Sequence, residues 1–459
     1  MYLKMKKLFV NLYHFPNFKS DKKTININLF YFFSIFLFIS FLLFRNPEIL
    51  IQGRFFAEEG AIFWSYSLNN SILEMLLFTP VSGGYFLLNT NLQIILSNLV
   101  PLNYSPLVTV WTSILISFLP SFIFFLISKN SYSSKNRLTV SILFLLLPSL
   151  NLLEVFANSI NSQTYLGFTS FLIITKGLNS SYFLKTQIFV LFLGFFSGYY
   201  SLVLLPILII RYFKESNCRV LLPIIFGIFS IFLNLNILFY SFNNKILYSG
   251  KLDSNTNFEY IYTIAKKSLL VNLFTEKLIE NQKLGLILVF LFLMLTFIIF
   301  ISKNNNNKEN FSYLYIALIL EIFLIFFGQA GNVYDQRYAV VVSSIFIFII
   351  IEFLVSFSKS WYLILILILV SIINFNYQRS LYFIDCGEYC ISWSEQVLNI
   401  ENNPILIHWP IGEGEPYWYT NYLNPTPTPA PFQVELLEEG YQKYFQLSLF
   451  DIIAENFSR

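Results

Sequence analysis

Long apolar runs recur along most of this chain, and they constrain its fold more than any other feature. A transmembrane helix takes about 20 mostly apolar residues, and the first long apolar run, 29–44, follows a lysine-rich N-terminus. Of the 459 residues, 56% are hydrophobic and only 12% are charged, which is atypical of soluble globular domains. The sequence therefore predicts an all-α polytopic membrane protein.

The positions of the basic residues predict the topology. Lysines precede the first run, so by the positive-inside rule the N-terminus is cytoplasmic. Placing the later loops that are rich in basic residues in the cytoplasm as well predicts about 11 transmembrane helices and leaves the C-terminus outside. The predicted spans are 29–44, 106–128, 138–153, 163–175, two short segments within 186–210, 220–241, 284–301, 311–328, 339–357 and 361–375.

This topology divides the chain into three parts. Residues 1–27 form a cytoplasmic N-terminal segment, and 28–375 form a transmembrane helical domain whose first extracytoplasmic loop is 45–105. Residues 376–459, rich in proline and tryptophan, form a small extracytoplasmic C-terminal region without the character of an autonomous domain.

Three stretches are harder to place. Apolar residues at helical spacing over 57–77 predict a helix lying along the membrane surface. Residues 85–100 are predicted as a second juxtamembrane helix, because counting them as a span would put the following lysines outside. Residues 186–210 have basic residues at both ends, which favours two short segments turning at 197–200, although one long span stays open.

Charge, histidine and cysteine content limit the other functions. The net charge of +3 is small and its basic residues are dispersed, which argues against nucleic acid as a partner. His14 and His408 each lack a second histidine at metal-ligand spacing, which argues against zinc. Cys386 and Cys390 lie four residues apart, and both a disulfide and two free thiols stay open.

Carboxylates are scarce, so their placement carries information. The predicted topology puts Glu58, Glu59 and Glu154 at the outer face, together with Arg337 and its neighbour Tyr338. A carboxylate can act as a general base, and an arginine can hold a phosphate through paired hydrogen bonds. Transfer of a sugar from a lipid-linked phosphate needs these two functions. The competing interpretation is that these groups are solvated or interfacial charges at helix ends.

Neighbouring helical residues point about 100° apart, so Glu58 and Glu59 cannot address one atom equally. We predict Glu59 as the base. Glu58 would then bind a divalent metal ion, with Glu154 as a second candidate ligand, or cap the helix start. Whether the protein uses a metal cofactor is left open.

Two further acids lie within predicted spans, Glu321 and Glu352. An ionisable group in a span usually faces the bundle interior. Packing and transport are both open roles for Glu321. No matching buried basic residues are evident from the sequence, which weakens the transport interpretation.

These motifs resemble the GT-C superfamily of polytopic membrane glycosyltransferases, specifically bacterial members that use polyprenyl-phosphate sugars. The sequence from Phe55 to Gly60 is similar to an Ala-Glu-Asp-Gly pattern of that group, with Glu59 where aspartate is commoner. Weaker similarities are 154–158, 194–206, 336–338 and the tail around Trp393 and His408. The resemblance implies a catalytic pair, Glu58 and Glu59. It also implies that Glu154 is an acid near the site and that Arg337 lies on the phosphate side. The predicted substrate-binding set is completed by Arg54, Asn158 and Tyr338.

The leading hypothesis is an extracytoplasmic glycosyltransferase in the bacterial inner membrane. It would move a sugar from a polyprenyl-phosphate donor to a glycan, lipid or protein acceptor, with membrane lipids as the other partners. Two alternatives stay open. One is a flippase or transporter of lipid-linked saccharides, and the other is a non-catalytic assembly component whose aromatic tail binds a partner.

Overall fold

The computed structural model describes most of the first 244 residues and shorter pieces of the rest. The described residues are 22–45, 50–55, 58–80, 84–146, 157–178, 183–215, 218–244, 305–328, 340–355, 365, 368, 393–398, 405–406, 419–420, 449 and 452–454. Within these ranges the chain is mostly helical, as predicted, with one pair of two-residue strands.

The α-helices, in chain order, are α1 (Lys22–Arg45), α2 (Ser65–Asn69), α3 (Ile72–Leu76), α4 (Leu88–Ser97), α5 (Ser105–Ser117), α6 (Leu119–Ile127), α7 (Ser134–Leu146), α8 (Gln163–Leu172), α9 (Leu184–Phe195), α10 (Tyr199–Leu202), α11 (Leu205–Glu215), α12 (Leu221–Asn243), α13 (Asn305–Gly328), α14 (Val340–Leu354) and α15 (Trp393–Leu398). Two π-helices are Glu59–Trp64 and Ile173–Gly177, and 3-10 turns are Leu102–Tyr104, Ser128–Asn130 and Cys218–Val220. The strands β1 (Ile405–Leu406) and β2 (Tyr419–Thr420) pair antiparallel.

Two helices in the described part of the chain are long and apolar enough to cross a membrane, by length and composition. One is Leu102–Ile127, which consists of the 3-10 turn Leu102–Tyr104 followed by α5 and α6, and the other is Leu221–Asn243. Both coincide closely with predicted spans. Shorter apolar helices are Ile27–Ser40, Leu184–Phe195, Ser312–Leu324 and Val340–Glu352. The predicted total of about 11 crossings stays a prediction, because 284–301 and most of 361–375 lie outside the described residues.

Helix α8 is at the centre of the bundle. Every residue of Gln163–Leu172 is buried, and the helix packs against α6, α9, α10 and α14. Gly167 permits the closest of these approaches, because a Cβ there would lie 2.5 Å from Cβ of Tyr200. A smaller second core, which includes Phe55, Trp64 and Trp393, lies apart from the bundle core.

The predicted break within 186–210 is confirmed. Helix α9 ends at Phe195, and Gly198 takes φ +94° and ψ −170°, a backbone conformation open essentially to glycine alone. The freed backbone groups pair with the stretch before α4: Leu88 N donates to Phe196 O at 2.8 Å, and Gly198 N donates to Phe86 O at 3.0 Å.

The two stretches predicted as surface helices differ in outcome. Residues 88–97 form the short helix α4, which at about 15 Å cannot cross a bilayer. The prediction of one surface helix over 57–77 was wrong. The helix stops at Asn70, a capping box of Ser71 and Glu74 starts α3, and residues 59–67 are buried in protein. Apolar spacing identified a buried face, but that face packs on protein.

Candidate active site

Glu59 begins a π-helix and is fully buried. Its Oε1 accepts a hydrogen bond from the backbone N–H of Ser159 at 3.0 Å, across 100 positions of sequence. Glu58 precedes it in helical conformation and is only half-buried. The pair is therefore split, as the 100° spacing predicts. The predicted alternative that Glu58 caps the helix was wrong, since its side chain makes no capping hydrogen bond.

The Ser159 turn, residues 157–162, presents that amide. Ala157 takes φ +62°, a left-handed conformation that costs a non-glycine residue about 1 kcal/mol or more. The Asn158 side-chain oxygen accepts hydrogen bonds from Ile160 N at 2.9 Å and Asn161 N at 3.4 Å. Asn158, predicted to bind substrate, thus shapes the turn that orients Glu59.

Side chains of helix α4 hydrogen-bond to the Ser159 turn. Asn89 Nδ2 donates to Ser162 Oγ, and Gln93 Nε2 donates to the same oxygen at 3.2 Å. Gln93 Oε1 accepts from the hydroxyls of Thr112 at 2.7 Å and Ser113 at 2.8 Å. Satisfied polar networks of this kind rigidify the structure around them. The Glu59 carboxylate is therefore held by a network that reaches the membrane-length helix 102–127.

Arg54 lies five residues before Glu59 in the chain and is 3% exposed. Burial lowers the pKa of its guanidinium to about 9, which leaves it charged at neutral pH. The neighbouring Gly53 has φ +72°, and a Cβ there would lie 2.7 Å from Leu107 N. The turn at Gly53 therefore packs directly against the backbone of α5, and this contact fixes the position of Arg54.

The remaining predicted site residues, Glu154, Arg337 and Tyr338, lie outside the described residues. The described chain resumes beside them in sequence, at Ala157 and Val340. Val340 packs with Tyr165, which lies six residues beyond Ser159. The start of α14 is thus at the same end of α8 as the Ser159 turn.

A second polar cluster lies at the other end of α8. Lys176 Nζ donates to Glu352 Oε2 at 2.8 Å, and the Tyr132 hydroxyl donates to the other oxygen of Glu352. Thirteen residues separate Gln163 from Lys176, which is about 20 Å along a helix. The sequence indicated no buried basic residue to match the membrane acids; in the structure Glu352 does have a basic partner, Lys176, whose side chain is 19% exposed. Arg211, 1% exposed, similarly pairs with Glu215 at 2.7 Å.

Glu321 differs from Glu352. It is fully buried on α13, and neither carboxylate oxygen has a hydrogen-bond partner among the described residues. Within the same ranges, no group of three His, Cys, Asp or Glu side chains could hold a metal ion.

Ser159 and the α4 network were not among the predicted site residues. The Ser159 contact uses a backbone amide, which carries no residue-type signal. Helix α4 did carry such a signal: five of its ten residues are polar, and all five are buried, namely Asn89, Thr90, Asn91, Gln93 and Ser97. A polar helix between apolar spans is typical of a helix that packs against other polar protein groups.

No protein-family model, no curated protein and no solved structure matches this chain. The resemblance to GT-C glycosyltransferases therefore stands on the motifs alone.

Proposed function

We propose that this protein is an integral membrane glycosyltransferase that moves a sugar from a polyprenyl-phosphate carrier to a glycan, lipid or protein acceptor outside the cytoplasm. Glu59 is the general base, with Glu58 beside it, and Arg54 contributes positive charge for the donor phosphate. The observation that carries the proposal is the buried Glu59 carboxylate, oriented by the Ser159 amide.

The exposed surface of the bundle supports a membrane location. On α12, large apolar side chains are exposed at the spacing of one helix face, among them Ile225, Phe229, Phe232 and Phe239. Helix α1 exposes a similar series from Leu29 to Leu37. Apolar faces of this extent cause aggregation in water but are compatible with lipid. At 23 residues, α12 is about 35 Å long, enough to cross a hydrocarbon core of about 30 Å.

The distribution of charge supports the orientation. The basic residues Lys129, Lys135, Lys176 and Arg211 lie in or beside the cluster at the end of α8 remote from Glu59. Basic residues face the cytoplasm in most membrane proteins. We therefore propose that Glu59 and the C-terminal region lie outside the cytoplasm and that the N-terminus lies inside. The proposed membrane is the inner membrane of a bacterium.

An open apolar pocket of about 260 Å³ on the bundle surface, called the cavity below, supports a lipid-linked donor. Apolar side chains of α10, α12 and α13 line it, together with Tyr199 and Asn234. The Tyr199 hydroxyl donates to Gly84 O at 2.6 Å, and Asn234 Oδ1 accepts from Phe86 N at 3.0 Å. The cavity wall is thus bonded to the stretch that leads into α4 and the Glu59 network. A hydrocarbon chain in this cavity would lie close to that network.

The chemistry assigned to Glu59 is proton removal from the acceptor hydroxyl as the sugar transfers. The carrier phosphate leaves without a general acid of its own, so one base and one cation suffice. Glu59 is fully buried in this structure, so the proposal requires a local movement that exposes its carboxylate to the acceptor.

The test is donor consumption by purified protein in lipid nanodiscs. The donors are polyprenyl-phosphate hexoses and pentoses, with a cell-envelope extract as acceptor, and released polyprenyl phosphate is measured. We expect at least one donor to be consumed, and Glu59→Gln to lower the rate by about 10²- to 10⁴-fold. Glu74→Gln, which changes an exposed acid in the same loop, should match wild type. Equal rates for Glu59→Gln and wild type would refute the proposal.

One competing function, a transporter, is favoured by the buried Glu321 carboxyl, which has no hydrogen-bond partner among the described residues. In that case Glu321→Gln abolishes movement of a lipid-linked saccharide across proteoliposomes, while Glu59→Gln has no effect.

A further inference from the structure

We infer that Trp393, from the C-terminal region, is a positioning residue that holds the Glu59 segment (residues 58–64) in place. Its importance for catalysis rests on the proposed function; the positioning itself does not.

Trp393 completes an aromatic clamp with Phe55 and Trp64. Its ring centroid lies 5.3 Å from that of Phe55 and 5.6 Å from that of Trp64, both edge to face. Phe55 and Trp64 themselves stack at 5.1 Å. Phe55 lies four residues before Glu59 and Trp64 five residues after it. The clamp therefore contacts the chain on both sides of the carboxylate.

Trp393 is also bonded to the bundle. Its indole Nε1 donates to Leu102 O at 2.9 Å, in the 3-10 turn that starts the membrane-length helix 102–127. The side chain is 1% exposed, and a buried indole N–H usually finds such a partner. Trp393 thus links the Glu59 segment to a fixed helix across 291 positions of sequence.

The rest of the described tail packs on the same segment. Strand β2 lies beside the π-helix Glu59–Trp64, and α15 lies beside β1, which pairs with β2. A π-helix is rare, and an isolated stretch of six residues does not hold helical geometry in water. Contacts from the tail therefore stabilise the helical conformation of the Glu59 segment, which its local sequence alone would not maintain.

Carboxyl labelling measures this positioning without any substrate. The full-length protein in nanodiscs is treated with a water-soluble carbodiimide and glycine ethyl ester, and labelling is read by mass spectrometry. Exposed Glu74 is the internal reference, and buried Glu321 reports whether the bundle stays folded. In wild type we expect Glu59 to react at least about tenfold more slowly than Glu74.

Trp393→Ala should remove most of that protection at Glu59 while Glu321 stays unlabelled. Trp393→Phe keeps an aromatic ring but loses the hydrogen bond to Leu102, and it should restore most of the protection. Leu398→Ala, at an exposed position of α15, is the matched control and should behave as wild type. Unchanged protection of Glu59 in Trp393→Ala would overturn the inference. So would loss of protection at Glu59 and Glu321 together in both Trp393 variants.

The functional consequence is tested separately, with any donor that wild type consumes. A positioning role predicts that Trp393→Ala lowers kcat while KM for the donor changes little, and that Trp393→Phe recovers most of kcat. If Glu59 loses protection in Trp393→Ala but no donor is ever consumed, the proposed function fails and the positioning role stands.

Discussion

Gly198→Ala tests whether the break between α9 and α10 is built as the structure has it. Gly198 combines φ +94° with ψ −170°, and a Cβ there would lie 1.9 Å from Gln163 Oε1. The Gln163 side chain is flexible and can move, but moving it would break its 3.5 Å hydrogen bond to the Tyr85 hydroxyl. Alanine therefore meets both backbone strain and a displaced neighbour.

The expected magnitude follows from these terms. Backbone strain of this kind costs about 1–3 kcal/mol, and the lost hydrogen bond costs about 0.5–1.5 kcal/mol. Reduced freedom of the unfolded chain returns about 0.4–1 kcal/mol. We expect Gly198→Ala to lower the free energy of unfolding by about 0.5–4 kcal/mol.

The assay is unfolding in mixed micelles with increasing denaturing detergent, followed by tryptophan fluorescence. Gly227→Ala is the matched control: Gly227 lies within helix α12, and its Cβ would meet the Leu205 side chain, with Cδ1 at 2.7 Å and Cγ at 3.4 Å. The gain in helix propensity, about 1 kcal/mol, should offset that contact. Equal stabilities of the two variants would refute the geometry assigned to Gly198.

Two further predictions use the same unfolding assay. Glu321→Met replaces a buried polar group that has no partner among the described residues by an apolar side chain of similar size, so the free energy of unfolding should hold or rise, by up to about 1–3 kcal/mol; a clear loss would show that the carboxyl is satisfied. Lys176→Met should lower the free energy of unfolding by an amount near the lower end of the range of about 3–5 kcal/mol, because the Lys176 side chain is 19% exposed. The double variant Lys176→Met, Glu352→Gln should recover most of that lost free energy. A double variant no more stable than Lys176→Met would contradict the pairing.

The sequence predicted those parts of the fold that depend on local pattern. The spans 106–128 and 220–241 match Leu102–Ile127 and Leu221–Asn243, because long apolar runs are a local property. The break at 197–200 could be predicted because basic residues flank both ends of its run. The prediction of a surface helix over 57–77 was wrong because this stretch is buried against Trp393 and α4. Apolar periodicity shows that one face is buried but does not identify the protein groups that cover it.

The site was predictable to a similar extent. The scarcity of carboxylates drew attention to Glu59, and the structure holds it beside the turn that follows the position of Glu154. The Ser159 amide could not be predicted, since every residue except proline offers a backbone N–H. The pairing of Lys176 with Glu352 was also missed, because these residues lie 176 positions apart and only the packing of α8 on α14 joins them.

Distances between spin labels test most directly the claim that the predicted polar residues gather at one end of the bundle. In a background with Cys218, Cys386 and Cys390 replaced by serine, labels are placed pairwise at positions 58, 154 and 337, with 176 as the control. We expect separations of about 10 Å among the first three positions, the scale needed to hold a phosphate and a hydroxyl together. Distances from these positions to 176 should be about 20 Å or more. A 58–337 distance as long as the 58–176 distance would contradict the account.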